Sequence, residues 1–425
     1  MKNKKALYLL LSANAVSGVA QGISMLAIPW YFADVLNQSS DFGIMYAITT
    51  MLTLFWGLYV GTLIDKYSRK NIFLILSIVG FSFIGSISFY GFYHGELSTI
   101  SIGAVFCYTM FVYNIHYPTL YAFGQEITEK KDYRKINSLI EVQGQSTSII
   151  AGAFAAVLIT GINAEFLTKF GLENFISLHF EPWKMHEIFL LDALTYLVAF
   201  FLILLIKYQP IFEKVIDSGN ILNRLKSGIL YLKENPLLFQ FGIGSFAIFV
   251  IVLIHIHQLV PIYISNHLNG DASIYATAEI LQGLGALVAG LSIHRIFSKT
   301  NTVKAIIILM IVTFIVLEIL VFTKSAYLLV FSCFLLGIAN SGTRILRITY
   351  LFNHIPNHLI GRTGSVFHSI NVFLRFSFIT LFAMSFFTTE NNIIWSYFIG
   401  GFFILISLFP LLFYYKKLVT LKQPD

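Results

Sequence analysis

The sequence predicts an all-α protein that crosses a membrane about twelve times, and three observations carry that expectation. Hydrophobic residues make up 57% of the 425 and charged residues 12%, with a mean hydropathy of +0.77. A soluble domain carries about 25% charge, so this composition is not built to face water. Apolar runs of roughly 20 residues, the length needed to cross hydrocarbon, recur along the whole chain. Inside lipid every backbone N–H and C=O must be satisfied within its own segment, which makes such runs helices.

Taken in order, the runs place helices at 6–32, 42–64, 72–92, 98–121, 138–159 and 188–206. A second set follows at 237–265, 274–296, 305–322, 326–352, 364–387 and 393–415. The chain therefore reads as two six-helix halves, 1–206 and 237–425, joined by a polar central loop at 207–236. The first run follows Lys2, Lys4 and Lys5 and superficially resembles a cleavable signal ending at Ala13-Asn14-Ala15. It continues through Trp30-Tyr31-Phe32, so it is read as an uncleaved first span. The outer segment 163–186 alternates aromatic residues with Glu and Lys, a pattern suited to a helix lying in the membrane interface.

The basic residues fix the orientation. Of the 28 Lys and Arg, all but a few fall in the termini and in the loops of one face. The opposite face keeps Lys169, Lys184 and Lys324, while Arg344, Arg347 and Arg375 fall within spans. That asymmetry puts both termini in the cytoplasm of a multi-pass protein of the cell membrane. It also explains the formal charge of +7 without nucleic acid as a partner. Cys107 and Cys333 both lie in apolar runs and form no disulfide or metal-ligand pattern.

The halves echo each other, as in transporters built from repeats. One span ends at Pro118-Thr-Leu-Tyr121, and a basic loop leads to Arg134-Lys-Ile-Asn-Ser138. Its counterpart runs from Arg347-Ile-Thr-Tyr350 through Pro356 to Gly361-Arg362-Thr-Gly-Ser365.

Between the second and third spans stands Gly61-Thr-Leu-Ile-Asp65-Lys66-Tyr67-Ser68-Arg69-Lys70. Gly61 permits close helix approach. Asp65, at a helix end beside Lys66, Arg69 and Lys70, can pair across the loop or with the neighbouring bundle, and such a pair can hold one state of a two-state machine closed. The spacing resembles the Gly-x-x-x-Asp-Arg/Lys-x-Gly/Ser-Arg-Arg/Lys signature of the major facilitator superfamily. Leu191-Asp192-Ala-Leu-Thr-Tyr-Leu197, Gly228-Ile-Leu-Tyr-Leu-Lys-Glu-Asn-Pro236, Leu259-Val-Pro-Ile-Tyr263 and Gly283-Leu-Gly-Ala-Leu-Val-Ala-Gly290 resemble its macrolide-efflux-like branch. The resemblance implies two six-helix bundles around a central cavity lined by helices one, four, seven and ten. Two departures stand out. The second copy of the signature has His294 and Arg295 where an acid is expected, and the fifth helix carries Ser148-Ile-Ile-Ala-Gly-Ala153 in place of a Gly-Pro-x-x-Gly-Gly pattern.

Ionisable groups within spans are costly and so are candidates for function. Arg375 lies halfway along the eleventh span, and Arg344 and Arg347 share a face of the tenth, with snorkelling to the interface as the plain alternative. His255 and His257 lie in the seventh and point to nearly opposite faces, so at most one reaches a cavity. Glu318 falls on a peripheral helix and is read as structural; Asp192 and Glu279 lie close to the outer face, and Glu126 at a span end.

These readings predict a secondary transporter, not an enzyme, with no cofactor. The expected partners are a small-molecule substrate, the lipid bilayer and protons, with the chain acting as a monomer. Export of an amphipathic molecule of the drug or macrolide kind leads. A selective carrier of a metabolite, siderophore or lysolipid is the alternative. A membrane-embedded acyltransferase is more remote, because His354 and His358 have no acid at close spacing.

Overall fold

The computed structural model describes residues 3–129, 132–161, 180–208 and 221–421. Among them run twelve long helices: α1 (Lys4–Trp30), α2 (Ser39–Lys66), α3 (Arg69–His94), α4 (Thr99–Glu126), α5 (Tyr133–Thr160), α6 (Met185–Leu204), α7 (Pro236–Leu268), α8 (Ala272–Ile296), α9 (Thr302–Phe322), α10 (Ala326–His354), α11 (Asn357–Phe382) and α12 (Ile393–Phe413). Eleven are long and apolar enough to cross a membrane. The other is α2, whose 28 residues suffice by length.

Short polar punctuation separates the spans. Ser68, Ser98, Asn301 and Ser325 each accept a hydrogen bond from a backbone N–H in the first turn of α3, α4, α9 and α10, satisfying a donor the helix cannot. Pro236 occupies the first turn of α7, where its missing N–H costs nothing. Gly95 ends α3 in a left-handed conformation with φ of 81°.

The chain forms two compact units. The first comprises Met1–Asn37, Phe55–Ile216 and Asp271–Ile280; the second comprises Gln38–Leu54, Asp217–Gly270 and Leu281–Asp425. In the first, α1 packs on α4, α5 and α6, and α6 on α3. Leu7, Leu10, Phe73, Phe123, Ile136 and Ile203 are buried together there. In the second, α7 packs on α10, α11 and α12, and α9 on α10 and α12.

A local repeat links α1 and α7. Pro29-Trp-Tyr31 and Pro261-Ile-Tyr263 are each followed, five residues after the tyrosine, by Leu36-Asn37 and Leu268-Asn269. Both tyrosines open π-helical segments, Tyr31–Val35 and Tyr263–Leu268. Both asparagines then turn the chain at positive φ, 52° and 48°. Asparagine tolerates that conformation better than other non-glycine residues. α7 has a further π segment, His255–Leu259, just before Pro261. A proline cannot donate into the helix ladder, and a π-turn absorbs the missing bond.

Three expectations are refined. The central loop contains an amphipathic helix, Ile221–Glu234, which packs on α11 and leads into α7. α11 begins at Asn357, well before residue 364, because Pro356 takes the cap position and Gly361, read as a loop residue, lies inside the helix with Gly364. The interfacial helix expected over 163–186 falls mostly outside the described residues, and α6 has already begun at Met185.

Candidate functional site

The 61–70 loop is a tight turn. α2 runs to Lys66 and α3 starts at Arg69, so Asp65 occupies the last turn of α2 and the basic residues crowd the start of α3. Arg69 Nη1 lies 3.2 Å from Glu126 Oε1 at the end of α4, with the two side chains 15% and 10% exposed. Lys70 Nζ donates to the carbonyls of Leu204 and Ile206 at 2.8 and 2.7 Å, neutralising the exposed C-terminal carbonyls of α6. Lys66 is exposed and lies 5.5 Å from the Tyr67 ring. The loop therefore ties α3 to α4 by an ion pair and to α6 by charge-assisted hydrogen bonds. The side chain of Asp65, and the surroundings of Gly61, fall outside the described residues. The acid that meets Arg69 is Glu126, which sequence reading treated only as interfacial.

The second unit gathers most of the other candidates along one face of α7. The Arg347 guanidinium lies 3.6 Å from the centre of the Phe246 ring and donates to the Ser245 carbonyl at 2.9 Å. It is 4% exposed, so it does not snorkel to an interface. Arg344 is one turn away on α10. One turn further along α7, Arg375 approaches the Phe249 ring at 5.8 Å and lies beside the Tyr46 hydroxyl. That hydroxyl donates to the Leu253 carbonyl, and the Tyr46 ring meets His257 edge-on at 6.1 Å. His257 thus belongs to the arginine cluster. His255 points elsewhere, toward Cys333 Sγ at 3.4 Å and the Tyr397 ring at 5.6 Å, and is fully buried. The expected divergence of the two histidines holds, although a π-turn and not a regular helix carries it.

The first unit holds a partly buried polar chain of which only Asp192 stands out in the sequence. His116 Nε2 of α4 meets Asn14 Oδ1 of α1 at 2.7 Å, and Asn14 donates to Gln143 Oε1 of α5 at 3.1 Å. Further along α1, Gln21 donates to the Tyr196 hydroxyl and Ser24 to Asp192 Oδ2, at 2.6 and 2.8 Å. Asp192 has no exposed surface, which makes it a member of the helix interior and not an outer cap. A cavity of about 90 Å³ lined by Asn14, Gln21, Tyr113, His116 and Thr147 opens beside this chain, room for a few water molecules. A larger one, about 460 Å³, is lined by Trp30, Tyr31, Glu96, Trp183 and His186. Glu318 lies in a groove of α9 with Phe314, Ile315 and Phe322. Among the described residues no group of three or more His, Cys, Asp or Glu is placed to hold a metal ion.

The family model for the Major Facilitator Superfamily matches residues 10–377. Macrolide efflux protein A of Streptococcus pyogenes is 21% identical over 296 residues, covering 68% of this chain and 66% of that protein, just under two thirds of its length. Among solved structures, a bacterial homologue of the iron transporter ferroportin in an inward-facing state aligns with a TM-score of 0.71 at 12% identity, covering 98% of each chain. The nucleoside transporter NupG aligns with a TM-score of 0.68 at 13% identity, covering 97% of this chain and 99% of that one. At such identities the structural likeness establishes the fold.

Proposed function

Because this chain belongs to the Major Facilitator Superfamily, and so is a multi-pass secondary transporter, we propose that it exports a small amphipathic molecule by alternating access, driven by an ion gradient. The observation that carries the reading is the Arg69–Glu126 ion pair, which joins the 61–70 signature to the end of α4. A pair that is mostly desolvated yet close to a helix end is strong enough to favour one arrangement of α3 and α4 and weak enough to exchange. The export direction is supported by the similarity to macrolide efflux protein A. The proton is the proposed coupling ion, with His257 as its candidate carrier, because an imidazole titrates near neutrality and this one lies beside Tyr46 and Arg375. The protein is placed in the cell membrane with both termini cytoplasmic, and the two six-helix halves 1–206 and 237–425 are the proposed moving bodies.

The test is a panel of labelled amphipathic solutes offered to inverted membrane vesicles with and without an imposed proton gradient. Gradient-dependent accumulation of at least one solute, abolished by Asp65→Asn, is the expected result. Accumulation of none across a broad panel, with the protein inserted normally, would reject the exporter reading.

A further inference from the structure

Away from the helix ends, the spans of the second unit carry the guanidinium groups of Arg344, Arg347 and Arg375, with Arg295 and Arg362 nearer the ends of α8 and α11. Against them stand very few acids. Asp41 is exposed in the first turn of α2, and Glu318 lies in its groove on α9 against Gly401. Among the described residues no carboxylate pairs with Arg347 or Arg375. Arginine keeps its charge even when buried, so it cannot escape the cost by losing a proton. The Phe246 and Phe249 faces offset part of that cost, and the Ser245 carbonyl and Tyr46 hydroxyl a little more, but none of them supplies a negative charge.

Hydrogen-bonding capacity is left over beside these groups, whose ring partners Phe246 and Phe249 stand one turn apart on α7. Asn371 is 2% exposed and neither atom of its amide has a partner, although it lies one turn from Arg375 on the same face of α11. Arg375 is 8% exposed, with Nε unpartnered. Arg347 Nε and His257 Nδ1 are also without partners. Buried polar groups in native proteins are almost always satisfied, so this concentration points to something that binds there. A set of donors around two cations, flanked by phenylalanine rings, suits a planar carboxylate or a phosphate attached to an apolar body. A cationic amphiphile would find no acid to meet.

We propose that Arg375, Asn371 and Arg347 form an anion-binding site on the α7, α10 and α11 faces of the second unit, and that the exported solute is an amphiphile carrying a carboxylate or phosphate. The solute part of this inference rests on the transport reading above, whereas the site does not. The test uses purified full-length protein and three probes of equal chain length: dodecanoate, dodecyl phosphate and dodecyltrimethylammonium. Binding is measured directly, and translocation is measured separately in inverted vesicles.

Dodecanoate or dodecyl phosphate is expected to bind at least tenfold more tightly than the cation. Arg375→Gln should remove that preference, with Arg375→Lys retaining part of it. Asn371→Ala serves as a second, milder probe should Arg375→Gln fail to fold, and should weaken anion binding severalfold. Equal binding of anion and cation, or anion binding unchanged in these variants, overturns the site. Arginine-dependent binding without translocation of any amphiphile upholds the site and overturns the exporter reading. If phosphatidylglycerol in nanodiscs occupies the site and neither dodecyl anion displaces it, the anion is a lipid headgroup and the solute assignment falls.

Discussion

Arg69 has a carboxylate partner while Arg347 and Arg375 have ring faces, a carbonyl and a hydroxyl, and this difference separates the proposed latch from the proposed binding site. Breaking an exposed pair costs about 1 kcal/mol or less and breaking a buried one about 3–5 kcal/mol. At 15% and 10% exposure, Arg69 and Glu126 fall between these limits. Glu126→Gln is therefore expected to slow transport severalfold with normal insertion, and the exchange of Arg69→Glu with Glu126→Arg to recover part of the rate. A wild-type rate in Glu126→Gln would leave the loop as a topology signal only. The histidines divide in the same way. His257→Gln is expected to flatten the pH dependence of transport, whereas His255→Gln, whose ring fills space between Cys333 and Tyr397, should lower thermal stability and leave the profile unchanged. An unaltered profile in both variants moves the coupling to another buried group. Arg69 was legible in the sequence because its motif is local. Glu126 was not recognised as its partner, since spacing along the chain does not reveal which helix ends meet. His116 was missed for a different reason: a lone histidine in an apolar helix reads as core. The available signal lay opposite it, in Asn14, Ser17, Gln21 and Ser24, a polar stripe at helical spacing on α1.

At the scale of the element, hydropathy locates helices well and their ends poorly. Apolar runs located the twelve long helices, eleven of which are both long and apolar enough to cross a membrane, since lipid leaves few alternatives. The beginning of α11 was hidden by Gly361 and Gly364, and the amphipathic helix Ile221–Glu234 by its polarity. The π segments were also invisible, though the shared Pro-x-Tyr and Leu-Asn of α1 and α7 mark where they occur. Glycine has a specific use where α8 crosses α10. A methyl group on Gly285 would collide with the Phe334 carbonyl, and one on Gly337 with the Gln282 carbonyl, so the two backbones lie in direct contact. Small residues give membrane helices this approach, where apolar burial supplies little drive. Gly337→Ala must push the helices apart and is expected to lower the melting temperature by several degrees. Gly290→Ala, on the same α8 but with nothing within 4 Å, should change it little. Equal effects from the two substitutions would contradict the close crossing.

At the scale of the molecule, orientation depends on parity. Eleven helices satisfy both length and apolarity, and an odd number of crossings would put the segment before Lys4 and the segment after Val419 on opposite sides. α2 decides the matter. It carries Asp41 in its first turn and Asp65 and Lys66 in its last, but these charges are confined to its ends, where they can reach water, and between them runs an apolar stretch of span length. If α2 crosses, the 61–70 loop, the central segment 207–236 and both ends of the chain share one face. That face then holds nearly all the loop lysines and arginines, while Lys169, Lys184 and Lys324 lie opposite. If α2 does not cross, Lys2, Lys4 and Lys5 move to the face of Lys169, Lys184 and Lys324 while every other loop cation keeps its side, which weakens the bias that orients membrane proteins. Reporter fusions before Lys4 and after Val419 are thus expected to give the same cytoplasmic signal, with a reporter inserted within 163–179 giving the opposite one. Opposite signals from the two ends would mean that α2 lies outside the bilayer; the signal after Val419, an even number of crossings from Arg69, would then tell which side carries the Arg69–Glu126 pair.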